Sequence, residues 1–159
     1  MSGIFVVAPV LASAPLVLTA ITAVAAAMGF VAVSQGLEAL QAEMDGLLRA
    51  KSNQLAEFDV ADAKGLTKLI AEQGAIVLER PDCTICFRAG KGRVQMLVRG
   101  KGEQTLSELE EMGQSILHKI QQQYAYHTVI TDLKKRGFAK AEEVVEEDGT
   151  IRLRLRRWD

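Results

Sequence analysis

From Pro15 to Val33 the chain reads PLVLTAITAVAAAMGFVAV, nineteen residues without a charge. As one helix that stretch would be about 28 Å long, close to the roughly 30 Å hydrocarbon core of a bilayer. Eight of its residues are Leu, Val, Ile or Phe, which favours insertion by a few kcal/mol, while Pro15, Gly29 and two threonines oppose it. Thr19, Ala20, Ala23 and Ala27 recur at helical spacing and would let another helix approach closely. The reading is an apolar N-terminal helix set in a membrane. Its alternative is a helix buried in a homo-oligomer or against a partner.

The surroundings of this stretch support two environments. No Asp, Glu, Lys or Arg occurs from Met1 to Leu37, and the first basic residue is Arg49. A cleaved secretory signal is not expected, because it needs a basic start and Ala12-Ser13-Ala14 is followed by Pro15. From Gly36 to Lys51, Leu37, Leu40, Met44, Leu47 and Leu48 fall on one helical face. The basic residues Arg49 and Lys51 follow the span, which places the rest of the chain in the cytoplasm. Residues 1–50 are thus expected to form an apolar and amphipathic helical membrane anchor, and residues 51–159 one small α/β domain.

At 159 residues, one core plus an appendage is the natural division. Nineteen basic and twenty acidic side chains leave a formal charge of -1, so no global field draws the protein to nucleic acid or anionic lipid. The two cysteines, Cys83 and Cys86, lie too close in sequence to staple a secreted fold and suit a reducing compartment.

Within the C-terminal part, Leu55 to Val60 reads as a strand. Asp62 to Gln73 reads as a helix with Leu66, Leu69 and Ile70 inward, capped by Gly74. Ala75 to Leu78 reads as a buried strand. TICFR and RVQMLVR flank the Gly-rich connection Ala89 to Gly92 and form a hairpin. Thr105 to Arg136 is a long helix, ended by Gly137. A second hairpin closes the chain, with Asp148-Gly149 as a two-residue turn that sets Glu143 opposite Arg154, and with Ile151, Leu153 and Leu155 facing the long helix. The order of elements gives an α+β fold: a small, mostly antiparallel sheet with two packed helices, preceded by a long apolar helix able to span a membrane.

The residues from Tyr124 to Trp158, YAYHTVITDLKKRGFAKAEEVVEEDGTIRLRLRRW, resemble the C-terminal signature of the chloroplast ycf35 family, also described as domain of unknown function 1257. CTICFRAGKGRVQMLVRG is similar to that family's hairpin, and FDVADAKGLTKLIAEQG to its first strand and helix, so the resemblance covers about Leu55 to Trp158. It implies a fold and no activity. Bacterial relatives are often encoded beside AAA-type ATPases, which suggests a bacterial accessory protein with such an ATPase as partner.

Candidate sites are few. Cys83 and Cys86 are the candidate metal or redox pair. On a strand they point to opposite faces, and His118 and His127, nine residues apart on one helix, lie about 180° apart and cannot complete a zinc site together. His127, beside Tyr124, Tyr126 and Thr128, reads as a packed, hydrogen-bonded histidine without a nucleophile. Gly90-Lys91-Gly92 and Gly100-Lys101-Gly102 lack phosphate-loop spacing and read as turns. Arg152, Arg154, Arg156 and Arg157 form a basic ridge beside Glu142, Glu143, Glu146, Glu147 and Asp148, which would neutralise it, so nucleic acid is not expected. No cofactor or catalytic residue is assigned. The expectation is a non-enzymatic, membrane-tethered interaction or accessory module that works with a protein partner. The alternatives are a ring- or filament-forming homo-oligomer assembled through the N-terminal helices, and a redox or metal protein using the C-x-x-C pair.

Overall fold

The computed structural model describes residues 14–60, 64–90, 93–147 and 151–157, with the backbone alone for residues 139–145, 151, 153, 155 and 157. Among the described residues are helices α1 (Ala14–Met28), α2 (Leu37–Arg49), α3 (Lys64–Gln73) and α4 (Leu106–Lys135). The strands are β1 (Val31–Val33), β2 (Leu55–Val60), β3 (Ile76–Arg80), β4 (Cys83–Ala89), β5 (Val94–Gly100), β6 (Phe138–Val145) and β7 (Ile151–Arg157). Strands β1 to β5 form an antiparallel sheet in the order β1-β3-β4-β5-β2, and β6 and β7 form a separate two-stranded sheet.

The apolar N-terminal stretch does not form a helix long and apolar enough to cross a membrane, nor does any other helix among the described residues, so the transmembrane helix and the membrane localisation read from the sequence are corrected. The cause is local. Gly29 takes φ 79°, and the amide of Phe30 donates to the carbonyl of Ala25 at 2.9 Å, a left-handed glycine cap that stops α1 at Met28, so that its described part is 15 residues, about 22 Å. The β-branched run that follows becomes β1, with Val31 opposite Glu79 and Val33 opposite Val77. What resembled a lipid-facing surface is a protein-facing one: Val17, Ala20, Ile21, Val24 and Ala25 are buried, whereas Thr19 and Thr22 face outward and return their hydroxyls to the carbonyls of Pro15 and Leu18.

Among the described residues four helices, not the expected two, cover the sheet. α1, α3 and α4 lie on one face, where Val17, Ile21, Leu66, Ile70, Ile85, Phe87, Met96, Leu109 and Ile116 share one core. α2 covers the other, where Met44 meets Leu55, Val77, Cys86 and Leu97, with Leu37, Leu40, Leu47 and Leu48 packed around them. Residues 14–49 therefore share their cores with the rest of the chain.

α4 begins at Thr105, whose hydroxyl accepts from the amide of Glu108 at 3.2 Å, a favourable N-cap. It ends at Arg136 and Gly137, the latter at φ 83°. In the terminal hairpin, Glu142 pairs with Arg154 and Glu143 with Leu153, and Val145 pairs with Ile151. The expected Glu143 to Arg154 pairing is thus one residue out, because five residues connect the last paired positions instead of the two residues that set that register. The Asp148-Gly149 turn, and the side chains of Ile151, Leu153 and Leu155, lie outside what is described.

Candidate functional site

Strand alternation separates the two cysteines. Cys83 belongs to the core under α1, α3 and α4, and Cys86 to the core under α2. Both are free and wholly buried. Burial above all pushes each thiol up to about 11, with neighbouring Asp82 adding to the effect at Cys83. A thiol in that state is a poor nucleophile and a poor ligand at neutral pH. The two cannot share an ion or a disulfide across the sheet, and among the described residues no three His, Cys, Asp or Glu side chains converge on a metal position.

Cys83 instead joins a polar knot that sequence reasoning missed. Its sulfur lies 3.3 Å from Met112 Sδ. Beside it, Arg80 donates Nε to Asp82 Oδ1 at 2.5 Å and Nη2 to Asp82 Oδ2 at 2.9 Å. Arg80 Nη1 also donates to the carbonyl of Met28 at 3.0 Å, and the guanidinium sits 4.6 Å from the centre of the Phe30 ring. One planar fork thereby ties the last turn of α1 to the β3–β4 turn, a task suited to arginine and not to lysine. The fork holds the Asp82 carboxyl below the usual carboxylate range.

On the opposite face the polar residues are ordered around α2. Asp45 pairs with Arg88 at 2.7 Å and Glu43 with Arg99 at 2.5 Å. Arg88 Nε donates to Gln95 Oε1 at 2.9 Å, and Gln95 in turn donates to Glu57. Lys101 pairs with Glu79. Arg99 holds the Glu43 carboxyl below its ordinary range, chiefly through their hydrogen bond. Thr84 lies on the same face, two residues before Cys86, and its fully buried hydroxyl has no partner among the described residues. The alternation of Thr84, Cys86 and Arg88 along one strand was the available signal for this face.

His127 is half-buried on α4, with its ring edge-on to Tyr126 at 5.3 Å between centroids. Its Nε2 is buried and has no partner among the described residues. Burial alone pulls its pKa below the ordinary value. The backbone amides of the second glycine-lysine-glycine run are spent on the protein itself. Gly100 N donates to Gln54 O, Lys101 N to Asp82 O and Gly102 N to Gln104 Oε1. Lys91 and Gly92 of the first run lie outside the described residues, and Gly90 N donates to Arg93 O across the hairpin end. On β7, Arg152, Arg154 and Arg156 are exposed in alternation, and Arg152 pairs with Glu146 at 2.7 Å.

A family model described as protein of unknown function (DUF1257) matches residues 55–154. Among curated proteins, the chain is similar to "Uncharacterized protein ycf35" of Pyropia yezoensis, 42% identical over 43 residues that make up 27% of this chain and 34% of that protein. It is likewise similar to the ycf35 proteins of Cyanophora paradoxa, 40% identical over 45 residues, 28% of this chain and 35% of that one, and of Guillardia theta, 40% identical over 42 residues, 26% and 33%. The match spans about a third of the length of these relatives. None of the three organisms is a bacterium, which corrects the bacterial attribution. No solved structure matches the chain significantly.

Proposed function

The chain belongs to the DUF1257 family, and from that premise we propose that it acts as a non-enzymatic accessory module that docks a protein partner through its terminal β-ribbon. The observation that carries this reading is the pairing of β6 with β7 alone. Among the described residues, the two strands form a sheet apart from the five-stranded one, so each keeps one edge unpaired. Such edges can accept an added strand, while like charge beside them opposes self-pairing and leaves a strand of opposite charge as the fitting partner. Arg152, Arg154 and Arg156 stand exposed on this ribbon. They favour an acidic segment able to compete with Glu146 for Arg152, and an AAA-type ATPase is the partner class suggested by the family resemblance.

The non-enzymatic reading rests on chemistry: Cys83 and Cys86 are separated by the sheet and held protonated, and His127 sits within α4 with its ring against Tyr126. Affinity capture from the native host with the full chain tests the proposal. A partner retained by the wild type and lost on replacing Arg152, Arg154 and Arg156 with Glu is the expected result. Retention of the same partner by the variant would remove the ribbon as its docking surface.

A further inference from the structure

The face of the sheet under α2 offers a second surface, distinct from the ribbon. Met44 is the one fully buried residue of α2, and Leu37, Leu40, Leu47 and Leu48 around it stay half-exposed. Successive helical residues are 100° apart, so Glu43 and Asp45 leave the helix on either side of Met44. Each finds a guanidinium: Arg99 for Glu43 and Arg88 for Asp45. In the sheet, Cys86 pairs with Leu97, Arg88 lies two residues beyond Cys86 and pairs with Gln95, and Arg99 lies two residues beyond Leu97 and pairs with Thr84. The two arginines therefore stand on opposite sides of the apolar pair. Together these residues make an apolar strip with one cationic wall on each side, a shape that reads an amphipathic helix carrying carboxylates just before and just after its central apolar residue.

Three observations indicate that α2 is an exchangeable occupant of this strip. First, Gly36 at its N-terminus takes φ 70° and supplies no side-chain cap, and beyond its C-cap Ala50 the chain turns through Lys51 at φ 50°. Lysine adopts that conformation uncommonly. Second, this face is covered without being satisfied, because the Thr84 hydroxyl is fully buried and has no partner among the described residues. Third, α2 lies outside residues 55–154, whereas Leu55, Val77, Cys86, Leu97 and both arginines lie within them.

We infer that this face is a helix-docking groove which α2 occupies in cis. The ligand it receives in trans is a partner protein's helix of α2's chemistry, with an apolar stripe and a carboxylate on each flank. This goes beyond the ribbon reading and does not rest on it.

Hydrogen exchange on the full chain is the first test. The amides of Leu40 to Arg49 are expected to exchange at least about 100-fold faster than those of β4 and β5, through an opening that leaves the sheet intact. Exchange of α2 in step with β4 and β5 would overturn the inference. The second test titrates a labelled peptide of residues 36–51, and one carrying Glu43→Lys and Asp45→Lys, into the full chain and into R88E/R99E. The wild type is expected to prefer the native peptide by at least about tenfold, and the variant to prefer the charge-swapped one. If R88E/R99E does not fold, R99E alone should shift the preference in the same direction. Equal binding of both peptides, or of neither, overturns the groove. Dimerisation by exchange of α2 between copies, seen by sedimentation, assigns the groove to self-association and overturns the partner. Ribbon-dependent capture is scored separately, so either reading can fail while the other stands.

Discussion

Phe58 of β2 lies so close to Gly113 of α4 that a β-carbon on the glycine would stand 2.3 Å from Phe58 Cε2 and 2.5 Å from Cζ. Gly113 is buried in the interior of a 30-residue helix, two turns from its start, where glycine ordinarily costs about 1 kcal/mol against alanine. The close approach of strand and helix outweighs that cost. Gly113→Ala should therefore destabilise the protein by roughly 1–3 kcal/mol despite its better helix propensity. In urea unfolding, Phe58→Leu added to Gly113→Ala should recover part of the loss. A stabilised single variant would show that the contact gives way easily.

The buried thiols set the alkaline limit of the fold. An unfolded thiol loses its proton near pH 8.5, whereas burial holds both Cys83 and Cys86 to about 11. The stabilising contribution is thus fully present below about pH 8.5 and is lost as pH rises through 11. The slope is at most roughly 1.4 kcal/mol per pH unit for each thiol. Stability measured from pH 8 to 11 should fall accordingly, and Cys83→Ala with Cys86→Ala should flatten the fall. Native protein at pH 8 should alkylate Cys83 only at the rate of global unfolding and Cys86 only through the opening of α2; rapid alkylation of Cys83 would refute its buried placement.

Arg80→Lys should separate shape from charge. Lysine keeps the cation but cannot hold Asp82 bidentately while donating to the carbonyl of Met28 and stacking on Phe30. A loss of about 1–2 kcal/mol is expected. Asp82 is held low by Arg80, so its contribution is present above the unfolded carboxylate pKa and lost as pH falls through the folded one. The acid limb of stability should therefore become shallower in Arg80→Met. An unchanged Arg80→Lys would show that charge alone suffices.

Much of this architecture was legible because local and tertiary preferences agree. β2, the β4–β5 hairpin and α4 follow from alternation, from the glycines between the strands and from the helical periodicity that Gly137 ends. The apolar face of α2 followed from the spacing of Leu37, Leu40, Met44, Leu47 and Leu48. The stretch from Pro15 to Val33 misled, since apolar residues suit a lipid and a protein interior equally. What distinguished them was Gly29 followed by Phe30 and Val31, a cap and a strand start inside the supposed span. The Arg80 fork and the two-walled strip under α2 join residues distant in sequence, which no local pattern encodes.

His127 supplies the last prediction. Its Nε2 is buried without a partner among the described residues, and burial lowers its pKa. The folded state keeps the ring neutral while the unfolded chain takes up a proton near pH 6.5. The stability tied to this group is therefore present above that pH and lost as pH falls through the folded value. His127→Leu removes both the unsatisfied nitrogen and the titration. Deleting an unpaired buried polar atom of this kind recovers on the order of 1 kcal/mol, so the variant should match or exceed the wild type at pH 7. It should gain further on the wild type between pH 6.5 and 5. Partner capture should be unaffected, because the docking surfaces proposed lie on β6–β7 and beneath α2. If His127→Leu instead lost the partner while remaining as stable as the wild type, the unpaired nitrogen would be a recognition group, and the C-terminal third of α4 would belong to the binding surface.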